Sequence, residues 1–179
     1  MAKVSRTDLI FLMLYAPDRP GAKPAQELKG ITRLEKLLFL WQQEGPIRKI
    51  SEDEYEFEPH NFGPFSKDIY DDVALLTNAG FIEERIQLWG ASTDYVEARD
   101  VIGADEGSEP HEKIYRLTDK GKAVAEQLHK DIPPQASKEL VAIKQRYVRL
   151  SLTQLIRYVY RKYPDLTHKS KLKHLQPSR

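Results

Sequence analysis

The chain has 179 residues, 28 basic and 27 acidic, and no cysteine. That length suits one substantial core with appended helices, and the missing cysteines exclude disulfides and thiolate metal sites. The net charge of +1 hides an asymmetry: from Ala136 onward eleven basic residues face only Glu139 and Asp165, a net +9, which leaves −8 for residues 1–135. Such a split suggests a basic partner-binding end and an acidic remainder, or simply two solvated helix faces.

In chain order, Asp8–Tyr15 reads as a buried helix, because Leu and Met outweigh β-branched residues, and Pro17 ends it. Its apolar run is too short to span a bilayer and no cleavage pattern follows, so a cytoplasmic protein without a membrane partner is expected. Residues 18–30 form a Pro/Gly-rich loop with a helical turn after Pro24. Thr32-x-x-Glu35 reads as a capping box, and Leu34, Leu37, Leu38 and Trp41 then mark a central core helix that Gly45-Pro46 terminates. Residues 47–58 look like a loop feeding a short strand.

Gly63-Pro64 makes the turn into the next helix, with Pro64 at its first position. Ile69, Tyr70, Val73 and Leu76 form its apolar stripe, and Gly80 supplies a left-handed C-terminal cap with Phe81 folding back. A strand over Phe81–Leu88, a long polar loop (Trp89 to Glu112) and a returning strand over Lys113–Leu117 follow. Helix, strand, loop and strand make up the second half of a winged helix. Thr118 or Asp119 caps a helix to about Lys130, with Ala123, Val124 and Leu128 on its buried side. Pro133-Pro134 marks the one clear boundary. The chain therefore reads as α+β and mainly helical: a winged helix-turn-helix over residues 1–132 and a two-helix extension with a basic tail over 133–179. The extension comprises Lys138–Leu150 and Ser151–Tyr163, the second opened by a Ser151-x-x-Gln154 capping box. Its stripe of Leu152, Leu155, Ile156, Val159, Tyr160 and Tyr163 needs a cover: the domain itself, the preceding helix, or a second copy in a homodimer.

Four segments taken together resemble the YwgA-like family of small prokaryotic proteins: Gly30-x-Thr-Arg-Leu-Glu-Lys-Leu-Leu-Phe-Leu, Phe62-Gly-Pro-Phe-Ser-Lys-Asp-Ile-Tyr, Tyr115-x-Leu-Thr-x-x-Gly121, and Tyr158-x-Tyr-x-x-Tyr-Pro-x-x-Thr-x-x-Ser170. The first two are more distantly similar to the Panacea/SocA-like antitoxin domain. The resemblance implies a winged helix-turn-helix and says little about function.

Candidate chemistry is sparse. Five histidines lie too far apart in sequence for a metal site, and His60 reads as serving turn backbone groups. Asp68, Asp71 and Asp72 place carboxylates on one exposed side of the central helix, but no nucleophile or phosphate cradle accompanies them. No enzyme activity and no cofactor are expected. Two functions remain open. In the first the protein is a DNA-associated transcription regulator. Its phosphate contacts would come from Arg146, Arg149, Arg157, Arg161 and Lys162, with Lys67 on the central helix, because the loop to Glu112 carries −6 and repels phosphate. In the second it is an antitoxin-like or adaptor module that binds a protein partner through Asp68, Asp71, Asp72 and the acidic wing.

Overall fold

A computed structural model describes residues 3–88 and 111–170. It is α+β, mainly helical, with two small antiparallel sheets. No helix among the described residues is long and apolar enough to cross a membrane.

Helix α1 (Arg6–Tyr15) opens on a capping box, in which the Ser5 hydroxyl accepts from the Asp8 N–H and the Asp8 carboxylate accepts from the Ser5 N–H. This Ser-x-x-Asp signal precedes the apolar run and starts the helix two residues before the expected position. All six residues from Leu9 to Leu14 are buried. Strand β1 (Leu28–Lys29) replaces the helical turn expected after Pro24.

Helix α2 (Ile31–Glu44) is the hub of the molecule. Every residue from Leu34 to Gln42 is buried, so the helix is covered on all sides rather than along one stripe. The capping box expected at Thr32 is not formed. Gly30, at φ +84°, is the N-cap and makes no side-chain bond, and Glu35 points inward, where its carboxylate accepts from the Ser66 N–H at 3.0 Å and from Lys36 Nζ at 2.6 Å. A short helix α3 (Ile47–Ile50) occupies part of the expected loop.

Strands β2 (Glu58–His60) and β3 (Gly63–Phe65) form a hairpin in which Glu58 faces Phe65, Pro59 faces Pro64 and His60 faces Gly63. Pro64 is therefore in a strand and not at a helix start. Helix α4 (Lys67–Asn78) begins after Ser66. Its C-terminus is as expected: Gly80 takes φ +76°, the Gly80 N–H donates to Thr77 O and the Phe81 N–H to Leu76 O.

Strands β4 (Ile82–Leu88) and β5 (His111–Leu117) pair antiparallel from Ile82–Leu117 to Leu88–His111, and β1 pairs with the other edge of β5, giving the order β1-β5-β4. Helix α5 (Asp119–Asp131) is capped by the Thr118 hydroxyl, which accepts from the Gly121 N–H. Ala125, not Ala123, is its buried alanine. Gly121 is required sterically, since a Cβ there would lie 2.1 Å from Phe81 O. Helix α5 packs on α1.

Helices α6 (Pro134–Tyr147) and α7 (Leu152–Lys162) both lie on α2, and α7 also reaches β3. The Ser151/Gln154 capping box is present. Leu155, Ile156, Val159 and Tyr160 are fully buried within the chain, so its own fold covers the stripe for which a second copy was one expected cover. A 3-10 turn (Pro164–Leu166) follows. Tyr160 and Ser170 are hydrogen-bonded through their hydroxyls, and Ser170 Oγ donates to Asn61 O at 3.1 Å, tying residue 170 to the β2–β3 turn. Leu34, Leu37, Leu38, Trp41, Ile69, Val73, Leu76, Tyr115 and Leu117 are buried as the core reading expects, whereas Phe81, Tyr70, Val124 and Leu128 are only partly buried.

Candidate functional site

The helical period sorts the aspartates of α4. Asp72 falls at i+3 from Ile69 and immediately before Val73, inside the buried stripe, and is 8% exposed. It accepts from the Tyr55 hydroxyl at 2.9 Å and lies 3.2 Å from Arg6 Nε. Burial, then the Asp72 charge, pushes the Tyr55 phenol well above its ordinary range. Asp68 pairs with Arg6 at 2.5 Å and Asp71 with Lys67 at 2.5 Å. The expected row of three exposed carboxylates is thus broken up, with one buried and two paired. Lys67 is held by Asp71 one turn away. The solvent face of α4 presents Lys67, Asp71, Ala74, Leu75 and Asn78, with Leu75 60% exposed.

The charged residues of β4 and β5 are also paired: Arg116 with Glu83 at 2.6 Å, Lys113 with Glu84 at 3.0 Å, and Arg85 with Glu27, just before β1, at 2.9 Å. The acidic loop lies outside the described residues, apart from Glu112.

The basic residues of α6 and α7 divide into two sets. Lys138, Ala142, Arg146 and Arg149 follow one another at helical spacing along the exposed side of α6 and the turn after it. Arg157 and Arg161 sit one turn apart on the exposed side of α7. Among the described residues none of these four arginines has a carboxylate within ion-pair distance; Arg146 lies 5.8 Å from the Tyr147 ring centroid. Lys162 differs: its Nζ donates to Glu44 Oε1 at 2.7 Å, and that bond, with the one to the Tyr158 hydroxyl, pushes its pKa up. The two helices do not pack stripe against stripe, as a single cationic face would need. Each rests on α2, and they meet where the rings of Tyr147 and Tyr158 lie 5.1 Å apart, tilted by 42°.

Glu44, at the end of α2, gathers the Tyr147, Tyr158 and Tyr163 hydroxyls and Lys162 around one carboxylate. Burial pushes its pKa up, but the hydrogen bonds from Lys162, Tyr147 and Tyr158 outweigh this and hold it below 4.5. Two lysines are buried: Lys36 between Glu35 and Pro64 O, and Lys144, which donates to Ala16 O at 2.5 Å and Leu14 O at 3.3 Å and so caps the end of α1. No local sequence signal marks these partners, since they lie up to 130 residues apart.

The histidines do not converge. His60 stacks on Phe65 at 4.5 Å, His129 bonds Ser137 at 2.7 Å, and His168 bonds Asp165 O at 2.9 Å. No group of three or more metal-ligating side chains occurs among the described residues. A cleft of about 290 Å³ opens at the N-terminal end of α4, lined by Glu56, Phe57, Glu58, Phe65, Ser66, Lys67 and Asp68. Compared with models of protein families, with curated proteins and with solved structures, the chain finds no match.

Proposed function

We propose that the chain is a non-enzymatic regulatory protein built on a winged helix and associated with DNA through its C-terminal helices. The strand order β1-β5-β4 supports the fold reading: the strand after the first helix pairs with the last strand, and the last two strands form the hairpin that follows α4. The observation that carries the DNA reading is that Arg146, Arg149, Arg157 and Arg161 are exposed without carboxylate partners among the described residues, whereas Lys67 on α4 is neutralised by Asp71. Phosphate neutralisation favours cations that do not first have to leave an ion pair. DNA would then approach the α6–α7 side, with α4 out of the groove, unlike the usual helix-turn-helix docking.

Fluorescence anisotropy with duplex DNA at 50 and 200 mM salt tests this. Four phosphate contacts predict a loss of affinity of about 10²-fold between those salt concentrations. Arg157→Glu/Arg161→Glu should abolish binding while leaving the circular dichroism spectrum unchanged. No binding at the lower salt, or binding by the variant equal to that of the parent, overturns the reading.

A second reading, an antitoxin-like or adaptor module that engages a protein through α4, is favoured by one observation. Leu75 is 60% exposed beside Ala74, with Asp71 and Asn78 one turn to either side, a face with an apolar centre and no free cation. Leu75→Glu would disrupt that contact and leave DNA affinity unchanged.

A further inference from the structure

We infer that the ligand of the α6 and α7 arginines is double-stranded DNA held by its phosphate backbone, without regard to sequence. The inference rests on the DNA reading above and specifies the class of nucleic acid that the same surface takes.

The aromatic residues decide against a single strand. A protein that binds single strands offers rings on which successive bases stack. The two helices and the residue that follows them carry four tyrosines, and all are turned inward. Tyr147 and Tyr160 are buried. Tyr158 and Tyr163 are half-buried and donate their hydroxyls to Glu44 at 3.0 and 3.2 Å. The rings that could stack on bases are thus spent inside the chain.

The cations are also held at a fixed separation. Arg146 and Arg157 each adjoin one tyrosine of the pair at which the helices meet. The hydroxyls of that pair, Tyr147 and Tyr158, lie 2.9 Å apart, and both reach Glu44. This clasp keeps the α6 and α7 sets in one relative position before any ligand arrives. A rigid pair of cation sets suits a stiff array of phosphates, which a duplex has and a flexible single strand lacks.

The polar residues decide against sequence. Adenine is read by Asn or Gln and cytosine by Asp or Glu. On these helices Gln135 is bonded to Glu139 at 2.7 Å, Gln154 closes the capping box with Ser151, and Gln145 is half-buried. Lys162 is committed to Glu44. The exposed sides are left with Lys138, Ala142, Arg146 and Arg149, and with Arg157 and Arg161. Among the bases, arginine and lysine read only guanine, whereas they meet phosphate oxygens at every step of a duplex.

The test is an anisotropy titration of the full chain with three duplexes of one length, A·T-only, G·C-only and mixed, and with oligothymidine of the same length. The three duplexes should bind within about twofold of one another; an arginine reading guanine would separate the first two by roughly tenfold per contact. Oligothymidine should bind about tenfold more weakly at ~50 mM salt. For four contacts the salt slope is about −3.6 on a duplex and about −2.8 on a single strand, a difference that accumulates over the ~1.3 decades up to ~1 M. Arg146→Ala and Arg157→Ala should each weaken binding to all three duplexes by the same factor and reduce the slope by about one. The inference is overturned, with DNA association left standing, by oligothymidine bound as tightly as the duplexes, by a tenfold spread among the duplexes, or by a variant that weakens only those containing G·C. Absence of duplex binding at the lower salt overturns both the inference and the reading beneath it.

Discussion

Gly63→Ala is the sharpest test of how the C-terminal helices join the rest of the molecule. Gly63 has φ +88°, where an L-residue is disfavoured by roughly 1–2 kcal/mol. A Cβ there would also sit 2.7 Å from Tyr160 Cε1, and Tyr160 is fully buried and hydrogen-bonded to Ser170, so its ring has little freedom to yield. Overpacking of that kind costs roughly 1–3 kcal/mol. Together the two effects predict a loss of about 2–5 kcal/mol, and for a chain of this size a fall in Tm on the order of 10 °C. Gly80→Ala is the internal control: its φ is +76°, but a Cβ there meets nothing within 4 Å, so it carries only the backbone cost. Urea denaturation of both variants at one pH isolates the contact with Tyr160. If Gly63→Ala is no more damaging than Gly80→Ala, α7 is not seated against the β2–β3 hairpin, and the placement of the extension fails.

Three further outcomes follow from the buried groups. Burial, only partly opposed by the charge of Asp18, lowers Lys144 from 10.5 to about 8. The unfolded chain therefore binds more protons than the native one between pH 8 and 10.5. Native stability should rise across that window relative to Lys144→Met, by roughly 3 kcal/mol, in parallel denaturant titrations. Glu44 has its pKa held below 4.5, so its contribution is present above pH 4.5 and lost as pH falls through its native value. Glu44→Gln should flatten that part of the acid-unfolding curve. Gly121→Ala forces a Cβ against the Phe81 carbonyl and should cost more than Gly63→Ala, because a backbone oxygen has less room to shift than a ring; differential scanning calorimetry would rank the two.

What was legible in the sequence was local and periodic. The Leu34–Trp41 and Ile69–Leu76 stripes, the Gly80 cap, the Thr118 cap and the Ser151/Gln154 box each depend on residues within one or two turns. The misreadings arose where tertiary packing reassigned a local signal. Thr32-x-x-Glu35 has the pattern of a cap, yet Glu35 is drawn into the core to receive the Ser66 N–H. Pro64 suits a helix start equally well, but its pairing opposite Pro59 puts it in a hairpin. Asp72 could have been placed correctly, since 69, 72, 73 and 76 share a helix face; its charge drew it to the exposed side in the reading. The loss of Lys162 from the candidate phosphate contacts was not legible, because Glu44 lies 118 residues away. The cleft at the start of α4 is different: its lining residues all lie within residues 56–68, but it becomes visible only once Pro64 is placed in the β2–β3 hairpin and not at a helix start.

The all-round burial of α2 has a consequence for biosynthesis. The covers of this helix arrive in order: α1 has already been made, but α6 and α7 leave the ribosome about 100 residues later, roughly 5–20 s at ordinary elongation rates. Throughout that interval the nascent chain carries Leu37, Leu38, Phe39, Leu40 and Trp41 with part of their final surroundings missing. Productive folding therefore waits for the C-terminus, and a stalled or truncated chain ending near Pro133 would present an adhesive helix to chaperones and proteases.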